Sequence, residues 1–460
     1  VAQQAVTANG ATTTIDLSNG NLIYMTQSAN TTVAFANTEG NTDVVYLVRT
    51  KDDNTTERTI TWPSGVVWDG GSEPTFLSDA TNNDAQVFKL TTRDNGATWY
   101  GAEVYNNKGG YTLWSWGSNG NGELGQNAVA YRSSPVQIGT EDSWFKLSGS
   151  NGIIGGLSAA IKSNSSLWAW GNGYLGVLGL NDQAKYSSPV QVPGTTWNNI
   201  TVSKSSMGVK TDGTLWSWGP NVYGNLGQNN RTGYSSPKQV GSGTDWSTVG
   251  EGNANAMAAI KTDGTLWTWG YNGGGVLGQN QAPAQLGNLS SPTQIPGTWS
   301  KITIVQDMAL AIQTDGTLWS WGYGTGGGHG DYTNRSSPTK IGSGTDWDDM
   351  AAGYNSCAAI KTDGTLWTWG NNAQGSLGLN DTTNRNSPVQ VPGTTWKSVE
   401  GSYNWMTAVK TDGTLWSWGN NGNGQFGIND RTTRSSPVQL PGTNWNSVSV
   451  TKDHVTALRS

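Results

Sequence analysis

The chain has 460 residues with a formal net charge of −6, and only 13% of its residues are charged. This length exceeds one ordinary hydrophobic core, so we expect several domains or one repeat array. The sequence has no run of Lys or Arg, no apolar stretch of 18 residues and a single cysteine, which argues against a nucleic-acid-binding face, a membrane-spanning helix and a disulfide framework.

Residues 1–108 alternate apolar with polar residues, as strands with one wet face do. Asn-Gly at 19–20 and 95–96 marks tight turns. We therefore predict an N-terminal β-sandwich or jelly roll over residues 1–108. The predicted strands are 12–17, 22–27, 31–36, 43–50, 58–62, 86–92 and 98–105.

Residues 109–460 repeat one unit seven times, about every fifty residues. Each unit contains Leu-Trp-x-Trp-Gly, a Gly-rich loop usually ending in Leu-Gly, a Ser-Pro step and a lone Trp. A strand of small residues then leads into Lys-Thr-Asp-Gly, whose Asp-Gly pair suits a hairpin turn. Four strands per unit and seven units predict a seven-bladed β-propeller in an all-β protein.

The two ends of the array predict how the ring closes. The first unit lacks the strand before Leu-Trp-x-Trp-Gly, whereas residues 454–459 repeat the strand at 405–410 without a following unit. We therefore expect the C-terminal strand to complete the first blade. Closure of this kind removes exposed sheet edges, which otherwise invite aggregation.

These repeats resemble the regulator of chromosome condensation family of propellers, over about residues 109–460. The Trp-Gly, Gly-x-Leu-Gly, Ser-Pro and Lys-Thr-Asp-Gly elements carry the resemblance, which implies seven blades closed by both termini. The family often places a His before the Ala-Leu pair, and here only His454 fits. The founding member exchanges guanine nucleotide on a small GTPase and binds chromatin; no basic tail supports that role here.

The N-terminal domain has a resemblance of its own. Thr61-Trp62-Pro63 and the motifs at 68–74, 84–88 and 94–101 are similar to a β-domain of phage fibre and virion proteins.

Most repeated polar and aromatic residues have a structural interpretation. Of the 25 tryptophans, 21 occupy fixed repeat positions, so we predict packing between sheets rather than stacking on sugars. The Asp-Gly carboxylates are predicted to serve turns. The Asn-Asp pairs lack the full ligand spacing of a calcium loop. We therefore expect no catalytic residue, no metal site and no cofactor.

The candidate ligand-binding residues lie where the repeats differ. Tyr131, Tyr186 and Tyr234 precede the Ser-Ser-Pro step in three successive units, so we expect them on one face. His329 is predicted to replace the Leu of the Leu-Gly step in a divergent loop that also contains Tyr332. The alternative is that these are ordinary loop aromatics and a structural histidine.

Both resemblances together predict a non-enzymatic phage virion protein, a fibre or decoration protein. Residues 1–108 would contact other virion proteins, with a homotrimer as the candidate assembly. The propeller would bind a host-surface protein or glycan. The alternative is a bacterial surface or extracellular propeller that binds a protein or glycan. A nucleotide-exchange factor is the third hypothesis.

Overall fold

The computed structural model describes residues 3–8, 10, 12–19, 22–37, 43–51, 59–63, 66–68, 85–92, 99–106, 110–148, 156–252, 255–281 and 283–460. The chain divides into two units, Val1–Gly109 and Gly110–Ser460. The described residues confirm the all-β prediction. Their helices are short: 3-10 turns at Leu17–Asn19, Tyr174–Gly176, Gly273–Gly275 and Gly324–Gly326, and one α-helical turn at Pro283–Leu286.

The first unit contains two sheets. One has the strand order β1-β3-β5-β8-β9-β7 and the other β2-β4-β6. The strands are β1 (Gln3–Ala8), β2 (Thr12–Asp16), β3 (Leu22–Gln27), β4 (Thr31–Ala36), β5 (Asp43–Lys51), β6 (Ile60–Thr61), β7 (Val66–Trp68), β8 (Ala85–Thr92) and β9 (Trp99–Asn106).

The jelly-roll prediction does not describe these strands. Strands β1 to β6 alternate between the two sheets, so β1, β3 and β5 run parallel, as do β2, β4 and β6. A jelly roll is built from antiparallel pairs. Alternation along the chain fixes which side chains are buried, such as Ile15, Val33 and Leu47 in the shared core, but it does not fix the direction of the neighbouring strand.

Strands β1 and β7 have no counterpart among the predicted strands. Residues 69–84 and 93–98, which hold most of the motifs similar to phage proteins, lie outside the described residues.

The described part of the second unit forms seven sheets, which confirms the predicted number of blades. Each sheet contains, in order, a Trp strand, an Ala strand, a Leu-Trp strand and a Ser-Pro strand. The Trp strands of sheets 1 to 7 are Trp144–Leu147, Trp197–Thr201, Trp246–Val249, Trp299–Val305, Trp347–Ala352, Trp396–Gly401 and Trp445–Val450. A short piece, Glu251–Gly252, pairs with the Trp strand of sheet 4.

The other three strand types follow the same numbering of sheets. The Ala strands are Leu157–Lys162, Ser206–Lys210, Ala256–Lys261, Met308–Gln313, Ser356–Lys361, Trp405–Lys410 and His454–Arg459. The Leu-Trp strands are Leu167–Gly171, Leu215–Gly219, Leu266–Gly270, Leu318–Gly322, Leu366–Gly370, Leu415–Gly419 and Thr112–Gly117. The Ser-Pro strands are Tyr186–Gln191, Tyr234–Gln239, Leu289–Ile295, Arg335–Lys340, Arg385–Gln390, Arg434–Gln439 and Arg132–Gln137.

This strand order gives the second unit two faces. The Gly-loop face carries the loops that follow the Leu-Trp strands and the turns that join each Trp strand to its Ala strand. The opposite face carries the Asp-Gly turns and the connections from one sheet to the next. The Trp strands of neighbouring sheets contact one another, as at sheets 5 and 6, and so form the inner edge of each sheet.

Sheet 7 combines strands from distant parts of the chain. Thr112–Gly117 pairs antiparallel with His454–Arg459, from Thr112 opposite Arg459 to Gly117 opposite His454. The Trp strand of sheet 7 pairs with the other edge of His454–Arg459.

Neighbouring sheets are joined by the second Trp of Leu-Trp-x-Trp-Gly. Its indole N–H donates to a backbone carbonyl in the Gly loop of the preceding sheet, over 2.7 to 3.0 Å. A buried indole N–H needs such an acceptor. The seven bonds run from Trp116 to Gln425, Trp170 to Glu123, Trp218 to Val177, Trp269 to Asn225, Trp321 to Val276, Trp369 to Gly326 and Trp418 to Ser376.

A second bond joins the end of each Gly loop to the following sheet. The backbone N–H of Asn181, whose φ is +64°, donates to the Ser235 carbonyl of the next Ser-Pro strand at 2.8 Å. Asn and Gly adopt this left-handed conformation at the lowest cost. The equivalent donors and acceptors are Asn127 and Ser187, Asn229 and Ser290, Asn280 and Ser336, Gly330 and Asn386, Asn380 and Ser435, and Asn429 and Ser133.

The loop glycine five residues before that Asn permits the close approach of two sheets. A Cβ on Gly176 would lie 2.5 Å from the Cα of Ser235, and Gly176 has a φ of +77°. Gly241, in a connection between sheets, has a φ of +61° but no atom within 4 Å of such a Cβ. Gly241 therefore separates the effect of backbone conformation from that of contact.

We expect Gly176→Ala to destabilise the protein far more than Gly241→Ala. Both substitutions add the left-handed strain of about 1–2 kcal/mol, and only the first also forces sheets 1 and 2 apart. Urea unfolding of the two variants and the wild type measures the difference. Equal losses of unfolding free energy would show that the close approach at Gly176 does not matter.

Candidate functional site

The repeated tryptophans are engaged in packing and hydrogen bonds. Besides the second Trp, the first Trp of each unit donates to a Thr or Ser hydroxyl two residues earlier, as Trp216 does to Thr214 at 2.8 Å. The lone Trp is buried in every sheet. In sheet 2, Lys210 lies over the rings of Trp197 and Trp216, with its Nζ 5.1 and 4.4 Å from their centroids, an attractive cation–π geometry.

This cation and two-Trp arrangement recurs in six sheets; sheet 4 has the neutral Gln313 in that position. The cations are Lys162, Lys210, Lys261, Lys361, Lys410 and Arg459.

The Asp-Gly carboxylates are turn residues. Asp212 Oδ1 accepts hydrogen bonds from the Thr214 backbone N–H at 3.0 Å and the Thr214 hydroxyl at 2.6 Å. The hydroxyl bond is the main reason why the pKa of Asp212 lies below its usual value. Equivalent bonds occur at Asp263, Asp315, Asp363 and Asp412. These carboxylates therefore stay ionised at neutral pH and act as hydrogen-bond acceptors in their turns, not as proton donors.

The Asn-Asp pairs have a structural role as well. Asp381 Oδ1 accepts from the Thr383 backbone N–H at 2.9 Å, and Oδ2 accepts from Arg385 at 2.6 Å. The hydrogen bond from the Thr383 backbone N–H is the main reason why the pKa of Asp381 lies below its usual value. Within the described ranges, no group of three or more His, Cys, Asp or Glu side chains could hold a metal ion.

The predicted position of His329 in its repeat is wrong. Gly327 takes the Leu position of the Leu-Gly step, because Gly328 lies against Trp369 as Gly125 lies against Trp170. His329 follows that step, where other units have Gln, Leu or Ile. The Gly loop of sheet 4 is shorter than the Gly loops of the other sheets. The glycine of its Leu-Gly step is therefore Gly328, not Gly330.

His329 performs the local task of those glutamines. Its Nε2 shares a 2.9 Å hydrogen bond with the Ser320 hydroxyl, much as Gln228 Nε2 donates to Ser217. Burial is the main cause that lowers the pKa of His329. The histidine is thus held neutral in a packing position.

The three candidate tyrosines do not occupy equivalent places. Tyr186 and Tyr234 lie opposite Gly171 and Gly219 at the start of their Ser-Pro strands. In sheet 7 that place belongs to Arg132, and Tyr131 precedes it by one residue. Because side chains alternate along an extended chain, one residue changes the direction of the side chain.

Tyr186 replaces an arginine in a local pair. Its hydroxyl donates to Asp182 Oδ2 at 2.6 Å, which raises the pKa of Tyr186. Arg335, Arg385 and Arg434 pair in the same way with the Asp four residues earlier. Tyr131 and Tyr332 are exposed. The five candidates therefore lie in sheets 1, 2, 4 and 7, and their role in ligand binding stays a prediction.

A different set of tyrosines lies together on the Gly-loop face. We call it the tyrosine arc, because it crosses sheets 1 to 6 in order. Four members lie in the Gly loops of sheets 1 to 4, and two lie in the turns between the Trp and Ala strands of sheets 5 and 6. The members are Tyr174, Tyr223, Tyr271, Tyr323, Tyr354 and Tyr403.

The arc is partly continuous. The rings of Tyr223 and Tyr271 have centroids 4.9 Å apart, and those of Tyr354 and Tyr403 are 4.7 Å apart. Tyr174 is 65% exposed, and Val222, which directly precedes Tyr223 in the chain, is 64% exposed. Sequence reasoning missed this set because its members occupy four different places in the repeat, and only two of these places hold Tyr in more than one repeat: Tyr271 with Tyr323, and Tyr354 with Tyr403.

A pocket of about 380 Å³ lies within the arc, between sheets 4 and 5. Tyr323 and Tyr354 form two of its walls, and Gln306, Asp307 and Asn355 also line it. Burial raises the pKa of Asp307, while the charge of Lys204 opposes that rise.

The other histidine lies at the junction of sheets 7 and 1. His454 is 1% exposed. Its Nε2 shares a hydrogen bond with Ser158 Oγ at 2.8 Å, and its Nδ1 shares one with Thr451 Oγ1 at 2.5 Å. Burial lowers the pKa of His454 to about 4, against the opposing charge of Glu123. The imidazole is therefore neutral at neutral pH.

The repeats have a family assignment. The profile described as "Regulator of chromosome condensation (RCC1) repeat" matches residues 164–209, 212–258, 363–408 and 412–458. A second profile with the same description matches residues 347–376. Neither describes a catalytic domain. No curated protein sequence matches the chain significantly.

Solved structures have the same fold. Human WBSCR16 is similar with a TM-score of 0.67 and 18% identity, over 76% of this chain and 99% of that one. The structure of Prp20p from Saccharomyces cerevisiae, a protein with binding properties to Gsp1p and histones, gives 0.67 and 18%, over 77% and 92%. Yeast RCC1 (Prp20) in a structure with bound Kap60 gives 0.66 and 18%, over 76% and 89%.

These findings establish RCC1 repeats and a seven-bladed β-propeller in this chain. At this level of identity, the solved structures support the fold alone. Across the described residues, no helix combines the length and apolarity needed to span a bilayer.

We expect His454 to make the protein less stable in acid. Its folded pKa of about 4 lies below the unfolded value of about 6.5, so its contribution is complete above pH 6.5 and is lost as the pH falls towards 4. The loss between pH 7 and pH 5 is about 2 kcal/mol.

Urea unfolding at pH 7 and pH 5 tests this expectation. A His454→Gln variant lacks the titrating group, so its stability should fall less between these two pH values than that of the wild type. If both proteins lose the same free energy, His454 is not the cause.

Proposed function

We propose that this chain, a seven-bladed propeller of RCC1 repeats, is a binding scaffold that engages a partner protein through the tyrosine arc. One observation carries the proposal. The ring is nearly uniform, yet exposed and half-buried tyrosines run across six successive sheets of one face. Tyrosine is enriched at protein interfaces, where it supplies a large contact area with little loss of side-chain freedom.

The similar structures support this proposal. Yeast Prp20 is bound to Kap60 in one of these structures, and the other describes its binding properties to Gsp1p and histones. Those partners belong to the yeast protein. What comes to this chain is the use of a propeller as a protein-binding surface.

The proposed role needs no catalytic group and no cofactor. The repeated carboxylates are bonded to turns and arginines, as at Asp212 and Asp381. Burial raises the pKa of the single cysteine, Cys357, well above its usual range, and a thiol held protonated is a poor nucleophile. A non-enzymatic protein therefore stays our expectation.

Assembly through residues 1–108 is the second part of the proposal. In the six-stranded sheet, Tyr24, Tyr46, Tyr100 and Val67 are exposed. Their strand neighbours Ile23, Leu47 and Trp99 face the core, so the four exposed side chains point away from it. An exposed apolar sheet face of this kind suits contact with another protein. The virion location, the homotrimer and the alternative cell-surface location stay predictions.

We also infer that sheet 7 closes the ring. The bond from Asn429 to Ser133 repeats the bond found between the other sheets. Trp116 likewise donates to the Gln425 carbonyl, 309 residues away in sequence. These contacts support a circular arrangement in which sheets 6 and 7 join like any other neighbours.

A photo-crosslinking residue at position 222 should capture a discrete partner from cells that make the chain. The same residue at position 195, in a connection on the opposite face, should not. Tyr223→Ala in the position-222 protein should lower the yield at least about tenfold, since a buried interface tyrosine is often a hot spot. Phe145→Ala, which removes an exposed aromatic side chain outside the arc, is the matched control.

Equal capture from both faces, or a yield unaffected by Tyr223→Ala, would contradict the arc as the binding surface.

Deleting residues 454–460 should destabilise the propeller by roughly 4 kcal/mol or more, because Val455 and Leu458 lose their buried positions. The strand Thr112–Gly117 also loses its hydrogen-bonded neighbour. Urea unfolding compares this protein with one that lacks only Ser460. A truncated protein as stable as the control would contradict closure by the C-terminal strand.

A further inference from the structure

The pocket between sheets 4 and 5 has a distinctive lining. It is lined by two aromatic side chains, Tyr323 and Tyr354, and by three side chains that carry an amide or a carboxylate: Gln306, Asp307 and Asn355. Its volume of about 380 Å³ lies within the range of small-molecule sites. Gln306 has a φ of +51°, which is an uncommon conformation for a non-glycine residue.

The hydrogen-bonding groups of these five side chains are open to a ligand, although the Tyr354 ring packs against Tyr403 and the charge of Lys204 acts on Asp307. Within the described part of the chain, none of the five makes a side-chain hydrogen bond. The equivalent turn of sheet 7 differs, because Asp453 accepts a hydrogen bond from Asn423 Nδ2 at 2.9 Å. Polar groups that a ligand buries need hydrogen-bond partners, and these half-buried groups can supply them because no other side-chain bond occupies them.

We propose that this pocket binds one neutral sugar residue of a glycan. A pyranose ring has an apolar C–H face and a rim of hydroxyl groups. The rings of Tyr323 and Tyr354 offer apolar surface for the first. The amides of Gln306 and Asn355 can both donate and accept, and the carboxylate of Asp307 can accept two bonds, which suits the hydroxyl rim.

The lining favours a sugar over a basic side chain. Two aromatic rings and a carboxylate alone would also suit a cation. The two amides would then have no role, and the charge of Lys204 already acts on Asp307. A neutral polyhydroxyl ligand uses all five side chains without bringing a second positive charge towards Lys204.

The sugar site shares Tyr323 and Tyr354 with the tyrosine arc, but its polar side chains and the residues that test the protein contact are different. Asp307, Gln306 and Asn355 are not members of the tyrosine arc. Val222 and Tyr223, the residues used to test the protein contact, do not line the pocket. Either proposal can therefore fail while the other stands.

The test is binding of the full chain to an array of immobilised neutral glycans ending in hexoses or N-acetylhexosamines, followed by titration of the best binder by calorimetry. We expect Asp307→Asn and Tyr323→Ala each to weaken binding about tenfold or more. Asp307→Asn keeps the size of the side chain. Phe145→Ala is the matched control, since Phe145 is an exposed aromatic residue that does not line the pocket, and it should leave binding unchanged.

The result that overturns the proposal is equally definite. Failure of the wild type to bind any neutral glycan would do so, as would glycan binding that neither pocket variant weakens. Binding of lysine- or arginine-containing peptides alone, abolished by Asp307→Asn, would assign the pocket to a cation instead. A thermal melt of each variant establishes that a loss of binding is not a loss of folding.

Discussion

The hydrogen bond from an indole N–H to a backbone carbonyl of the preceding sheet is the contact on which the second unit depends. It occurs at every junction among the described sheets, from Trp116 with Gln425 to Trp418 with Ser376. The bond needs a close approach of two backbones, which is why a glycine such as Gly176 stands beside it. It also sets the distance between neighbouring sheets, and that distance fixes the geometry of the ring.

Uniform junctions leave little freedom for function within the repeat itself. Trp and Ser recur because neighbouring sheets need the same contacts each time, and Lys and Asp recur because each sheet needs the same internal packing and turns. Many of the aromatic side chains that do not serve a junction lie in loops and turns, where a change costs little stability. The tyrosine arc and the sugar pocket therefore both lie on the Gly-loop face, at positions that the junctions do not use.

Most of the scaffold was predictable from the sequence. Leu-Trp-x-Trp-Gly gave the number of sheets, and its Asp-Gly turn gave the strand before it, because both signals are local. The direction of strands β1 to β6 was not predictable, since alternation of apolar residues is the same in parallel and antiparallel sheets. His329 was placed wrongly in its repeat because the loop of sheet 4 is shorter than the others. Strand pairing, not spacing along the chain, puts Tyr131 one residue before the place of Tyr186 and Tyr234.

The sequence by itself determined the repeating unit, the number of repeats and which side chains are buried, because burial follows a short periodic pattern. Only the tertiary structure decided which residues share a surface. Tyr174 and Tyr403 lie in different loops of distant repeats, and the order of the strands within each sheet places both loops on one face. That grouping depends on how sheets pack side by side, and no local pattern of residues records it.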